Sequence, residues 1–454
     1  MKSNFLTEFV EKAKDNSKTA FIYKDWLSYR KISFSEFLSD VYRMNGYLKE
    51  RLHGDNVLVF SYPYSYLFFV GIFSCVFLGK NIVIVDSFRD KKKTRSMMEQ
   101  AQVTDILTDG RTRFLTFLLP GRTPQINLAK FNGKQESVAG NVDIAGRVEP
   151  PKDSSSIITF TSGTTGMPKA IKRPLDFLES QIKLIKDNAD IRENDVVYGL
   201  LPMYTLLSVL MNNTCLVSRD MKACDQFGAT MLLAPIKKVL EIDRPLRSIQ
   251  RAFFGGAILY KKDAEAIAAK LPSAEITYVY GASEGAVIYK TQLRDYLKEP
   301  FTFYTKSKGI DVSIVNPDEN GVGEVQIAGE TVIGAAGAGG VAVHNTGDFG
   351  KLVDGKLILV GRKKYSCSAR AFYNYEYDEF LRKNNPQMKA GFSFFYEGRI
   401  HVAYTGVIVC STSGANREDG ACNDVVYHRF AELPYDLKHK TKLDYGKVLE
   451  KIKH

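Results

Sequence analysis

The chain has 454 residues, 44% hydrophobic and 12% aromatic, with a formal net charge of +11. That much apolar material fills more than one core and excludes a disordered or fibrous chain. The Lys and Arg surplus is scattered: the dense cluster Lys91-Lys92-Lys93-Thr94-Arg95 has no aromatic residues interleaved, so the expectation is a solvated surface rather than a nucleic-acid partner.

The opening MKSNFLTEFVEKAKDNSK is charged throughout and lacks the apolar core of a signal peptide, which points to a cytoplasmic protein with reduced thiols. The six cysteines form no CxxC pair and the six histidines no HxxxH or HExxH spacing, so a zinc site is not expected. Residues Asn56 to Gly79 carry no charge and approach the length of a membrane span. Pro63 divides them, however, into a β-branched strand (VLVFS) and a helix (SYLFFVGIFSCVFLG), and IVIVD follows as a second strand. The pattern predicts a βαβ unit with its helix buried against a sheet, not a span.

Strand-like runs then alternate with helical stretches: DILTD near 105, SIITF at 156–160, DVVYGLLP from 195, ATMLLA from 229, AFFGGA from 252 and ITYVYG from 276. This predicts a large layered α/β domain with mostly parallel sheets. After residue 300 the texture becomes β-rich and turn-rich, with hairpins expected at Asp318-Glu319-Asn320-Gly321 and at Asp354-Gly355. A short mixed α+β unit follows, with a boundary near 361–364, giving domains 1–361 and 362–454.

The run ITFTSGTTGMPKAIK, 158–172, places hydroxyls, glycines and a lysine at the carboxyl end of a strand, where α/β folds bind ligands. Hydroxyls, freed amides and the Lys169 ammonium suit a polyphosphate, but the run also reads as a flexible loop. It is not a Walker A loop, because Met167-Pro168 separate Gly166 from Lys169 and Ala170 follows the lysine.

Five more segments accompany it in order: FFGGAIL at 253–259, YGASEG at 280–285, GEVQIAG at 323–329, NTGDFG at 345–350 and GRKK at 361–364, with KTKLDYGKV at 440–448 near the end. Together with TSGTTGMPK they resemble the ordered motifs of the adenylate-forming superfamily, which includes acyl-CoA and aryl-CoA ligases, luciferases and peptide-synthetase adenylation domains. The resemblance implies activation of a carboxylic acid with ATP and Mg²⁺ to an acyl-adenylate. It also implies a mobile C-terminal domain and a pantetheine thiol acceptor, on CoA or an acyl carrier protein.

Carried over residue by residue, the resemblance assigns the ATP phosphates to Thr161, Ser162, Gly163, Thr164, Thr165, Gly166 and Lys169. Adenine and ribose go to Gly256, Ala257, Tyr280, Gly281, Ser283, Asp348 and Arg362. Glu284 would be the Mg²⁺ ligand and, with Lys442, catalytic. Lys364 marks the hinge. Plainer readings stand beside each: Glu284 as an acid at a helix N-terminus, Asp348 as a turn residue after Gly347, Tyr280 as a packed ring, Lys442 as part of a solvated tail.

The sequence departs from the family in two places. LPMYTLL at 201–207 puts Tyr204 and Thr205 at the acyl pocket, and together with IVIVD at 82–86 and the ending LPYDLKHKTKLDY it resembles the β-lactone synthetases of olefin biosynthesis, which close a ring without a thiol. The loop YSCSARAFY after the hinge has Ala369 where a glycine is expected, which favours a carrier protein over free CoA. A degenerate binding or scaffold protein would also keep this fold, but the motif residues are all present.

Overall fold

In a computed structural model, the described residues are 5–24, 28–60, 65–85, 90–109, 123–131, 155–161, 169–282, 286–329, 332–333, 335–336, 341–408, 425–434 and 445–452. They form two compact units: Met1–Ala234 with Leu246–Ala252, and Pro235–Pro245 with Phe253–His454.

In the first unit the charge-free segment folds as read. The strands Asn56–Phe60 and Asn81–Val83 run parallel, joined through the helix Tyr66–Phe77. The Ser65 side chain caps that helix by accepting from the amide of Phe68, and the helix is buried nearly all round, its Phe69 and Phe73 packed against Phe21 and Phe37. Among the described residues no helix is long and apolar enough to cross a membrane. This sheet continues through Asp105–Thr108 and Gln125–Asn127 on one side and Ser156–Thr161 on the other, all parallel, and ends with the antiparallel strand Lys169–Pro174. A second sheet of the unit holds Met231–Pro235, Val196–Gly199, Thr214–Val217 and Thr19–Lys24 in parallel, edged by antiparallel Tyr29–Ser33. A buried ion pair lies just before the strand Val196–Gly199: Asp195 accepts from Arg251 and, at 2.6 Å, from the Thr230 hydroxyl.

The second unit contains the antiparallel hairpin Glu275–Ala282 and Ala286–Gln292, and an antiparallel sheet ordered Thr302–Phe303, Lys356–Arg362, Ala342–Val353, Gly323–Ala328, Asp311–Val315. Both predicted turns are present. Asp318 accepts through its side chain from the amides of Asn320 and Val322, and Asp354 and Gly355 take φ of 49° and 77°. The C-terminal α+β portion comprises the helix Asn374–Asn384, the strands Met388–Tyr396, Arg399–Gly406 and Val425–Arg429, and the helix Tyr445–Ile452, around Phe394, Ala403, Leu433 and Val448. Layered parallel sheets, a β-rich portion and a small α+β portion are the α/β architecture expected from the sequence.

In the loop after GRKK, Ala371 takes the left-handed conformation, at φ 46°. Cys367 and Phe372 exchange both backbone hydrogen bonds, and the short 3-10 turn Ser368–Arg370 between them must reverse at Ala371. An L residue is strained there and a glycine is not.

Candidate active site

In the first unit the flanks of the glycine-rich loop are held by register. Thr161, the last residue of its strand, pairs with Lys169, the first of the returning one. Burial of Ile157, Ile158 and Phe160 fixes the strand, so the loop leaves from its carboxyl end, and the side chain of Lys169 is exposed beside it. Ser162, Gly163, Thr164, Thr165 and Gly166 lie outside the described residues, as does the side chain of Thr161.

Also in this unit, Tyr204 and Thr205 stand in the first turn of the helix Pro202–Leu210, with Pro202 at its start. The Thr205 hydroxyl turns inward and donates to the carbonyl of Gly199 at 3.3 Å. Tyr204 keeps part of its surface open, and burial of the remainder raises its phenol pKa. A cleft of about 400 Å³ elsewhere in the unit is lined by Phe9, Ala13, Ile182, Lys183, Leu210 and Asn212, none of them a motif residue.

In the second unit four of the assigned segments converge. The strand Arg251–Gly255 lies beside Glu275–Ala282. A side chain at Gly255 would meet Val279 at 2.6 Å, so glycine permits this approach. Gly256 follows, exposed and at φ 91°, and the carbonyl of Ala257 accepts from the Tyr278 hydroxyl at 2.9 Å. The backbone at 255–257 is thereby pinned next to Tyr280 and Gly281, at the end of the neighbouring strand.

Asp348 and Arg362 meet because the hairpin turned at Asp354-Gly355 makes them cross-strand partners. Gly347, at φ 73°, and a hydrogen bond from the Asp348 amide to the Thr346 hydroxyl at 3.2 Å orient the acid. Its carboxylate is 5% exposed. The Oδ1 atom lies 2.8 Å from Nε of Arg362 and accepts from the Tyr375 hydroxyl at 3.4 Å, and Oδ2 accepts from the Tyr280 hydroxyl at 2.9 Å. The neighbouring carboxylate pushes the Arg362 pKa still higher, so the guanidinium is a permanent cation. Burial first, and the Asp348 charge second, hold both phenols well above their ordinary range, so they remain neutral donors. The Tyr280 ring packs on Phe303 at 5.8 Å.

Tyr375 and Asn374 are the residues that sequence reading missed. Asn374 accepts from the Arg362 amide at 2.8 Å and fixes the strand end that carries the guanidinium. Both directly follow the loop YSCSARAFY, and no motif singles them out. Lys364 is exposed, its ammonium 5.0 Å from the Tyr445 ring centroid. Ser283, Glu284 and Lys442 lie outside the described residues.

A buried carboxylate with paired oxygens, a fixed cation and a pinned glycine backbone together suit a sugar diol and the base attached to it. The model of the family described as AMP-binding enzyme matches residues 9–338, well over half of the chain. This chain belongs to the AMP-binding enzyme family. Among curated relatives, 4-coumarate–CoA ligase CCL1 of Humulus lupulus is 25% identical over 268 residues, covering 48% of each chain. A 2-succinylbenzoate–CoA ligase of Staphylococcus epidermidis is 27% identical over 257 residues, covering 52% of each. The chain thus spans about half the length of the curated relatives it matches. Solved structures share the fold over nearly their whole length. The O-succinylbenzoate coenzyme A synthetase of Bacillus subtilis, in complex with AMP, superposes with a TM-score of 0.76 at 16% identity, covering 98% of both chains. ATP-bound MatB of Rhodopseudomonas palustris superposes with a TM-score of 0.79 at 17% identity, covering 100% of this chain and 99% of that one.

Proposed function

We propose that the protein is an ATP-dependent, AMP-forming carboxylic acid ligase that makes an acyl-adenylate and passes the acyl group to a pantetheine thiol. The observation that carries this reading is the Asp348 cluster. The Thr-Gly-Asp and Gly-Arg motifs are brought onto one carboxylate and one guanidinium, beside the adenine-type segment and Tyr280.

Attack of a carboxylate on the α-phosphorus of ATP brings two anions together, so the site must supply cationic charge and donors where charge builds up. Asp348 accepts from the ribose hydroxyls and Arg362 holds a donor toward ribose and phosphate. Gly256, Ala257 and Gly281 offer backbone along the base. Thr161 to Gly166 and Lys169 hold the β- and γ-phosphates, which leave as pyrophosphate. Glu284 would hold Mg²⁺, which would supply positive charge against the phosphate oxygens. Lys442 bridges the carboxylate and the α-phosphate, and residues 362–454 act as a lid turning at Lys364. Tyr204 and Thr205 border an apolar acyl or aryl group.

The names of the curated relatives, which are CoA ligases, support CoA as the acceptor, and a carrier protein presents the same thiol. The test is acid-dependent exchange of labelled pyrophosphate into ATP across a carboxylic acid panel, then thioester detection with CoA or holo-carrier proteins. Lys442→Ala should slow exchange by roughly a hundredfold or more while ATP still binds, because the lysine acts in the transition state. Exchange at the wild-type rate refutes the role of Lys442, and no exchange with any acid refutes the ligase reading in favour of a binding protein. A lactone formed with every thiol present assigns the chain to ring closure.

A further inference from the structure

We propose that Tyr375 is a positioning residue that competes with the nucleotide's ribose for Asp348, so that ribose binding releases the start of the helix Asn374–Asn384. The inference rests on Asp348 being the ribose carboxylate. A carboxylate offers about four lone-pair positions, two on each oxygen. Here Oδ1 faces Nε of Arg362 at 2.8 Å and the Tyr375 hydroxyl at 3.4 Å, and Oδ2 takes the Tyr280 hydroxyl at 2.9 Å. One position remains, on Oδ2. A ribose presents two hydroxyls, so gripping both requires one of the three present donors to yield.

The distances decide which. Arg362 is ion-paired at close range and Tyr280 makes a hydrogen bond of ordinary length, whereas 3.4 Å is a stretched O–H···O contact. Tyr375 is therefore the donor displaced. Its phenol is buried, and its ring stacks on Phe301 at 6.1 Å. A buried hydroxyl deprived of its acceptor is costly, so the side chain has to shift to regain one. Tyr375 lies in the first turn of its helix, and the shift is transmitted there. Further along, the same helix stays tied through Asp378, which accepts from Tyr260 at 2.7 Å, and through Arg382 stacked on the Tyr260 ring. The ribose site thereby reads out on the element that follows the hinge motif.

Tyr375→Phe keeps the stacking ring and removes the competing donor. Binding of ATP and of 2′,3′-dideoxy-ATP is to be compared by calorimetry. The variant should bind ATP about tenfold more tightly, the lower end of the range for one hydrogen bond to a charged group because the contact is stretched, with dideoxy-ATP unchanged. A purely structural role would move both nucleotides together. In the wild-type protein, amide exchange in the first turn of that helix, residues 374–377, should rise on adding ATP and not on adding dideoxy-ATP, a comparison that needs no variant. The proposal is overturned if Tyr375→Phe leaves the ATP to dideoxy-ATP ratio unchanged, or if ATP leaves exchange across that turn unchanged. If the wild-type protein does not prefer ATP over dideoxy-ATP, the ribose assignment of Asp348 fails first. If Asp348→Asn abolishes that preference and Tyr375→Phe does not alter it, only the role of Tyr375 fails.

Discussion

Asp378 is a carboxylate with no exposed surface, placed in the middle of the helix that follows the hinge motif. Its Oδ1 accepts from both the amide and the hydroxyl of Ser393 at 2.6 Å, its Oδ2 accepts from Tyr260, and Arg382 is the nearby cation. These favour the ionised form, but removal from water outweighs them and pushes the pKa up to about 6. Because the folded-state value lies above the unfolded one, the folded protein holds the proton more tightly. The resulting stability is fully present below about pH 4 and is lost as pH rises to about 6. A rise from about 3.9 to about 6 is worth about 3 kcal/mol. Asp378→Asn mimics the protonated acid, with the amide oxygen kept for Ser393 and Tyr260 turned to accept, and removes this dependence. Urea unfolding of both proteins between pH 4 and pH 8 tests the argument. Relative to the variant, the wild type should lose about 3 kcal/mol between pH 4 and pH 7 and then level off. A difference that stays constant, or one that favours the wild type as pH rises, would falsify it, because the three donors would then outweigh burial.

Asp348→Ala should weaken ATP binding by about 1.5 to 3 kcal/mol in calorimetry, the range for hydrogen bonds to a charged group, and should erase the preference for ATP over its deoxy analogues. Unchanged binding would leave Asp348 a turn residue. Ala371→Gly should raise stability by about 0.5 to 1 kcal/mol in urea unfolding, since relief of the left-handed strain exceeds the added chain entropy of glycine. A loss of stability would show that the turn tolerates Ala without strain. Asp195→Ala should destabilise the first unit by about 3 to 5 kcal/mol, because Arg251, 7% exposed, would lose its close partner. A change within about 1 kcal/mol would show that water replaces the acid.

The sequence by itself determined the elements and the motifs. Runs such as VLVFS and IVIVD flanking an apolar helix specify a parallel βαβ unit, because β-branched residues at strand length and burial on both sheet faces leave few other solutions. The Asp354-Gly355 turn is legible because those residues tolerate the positive φ that a two-residue hairpin needs. The convergence on Asp348 was not legible in full. Tyr280 and Tyr375 reach it from 68 and 27 residues away, and whether their hydroxyls arrive depends on strand register and on how the helix Asn374–Asn384 packs. Likewise the hydrogen bond from the Thr205 hydroxyl to Gly199 depends on the turn of the helix Pro202–Leu210, and the left-handed residue of the loop after GRKK falls at Ala371 because the Cys367 and Phe372 backbone bonds close the turn there. Local periodicity encodes which face of an element is buried. It carries no information about which polar atoms from distant elements share that face, since those distances are set only when the layers pack.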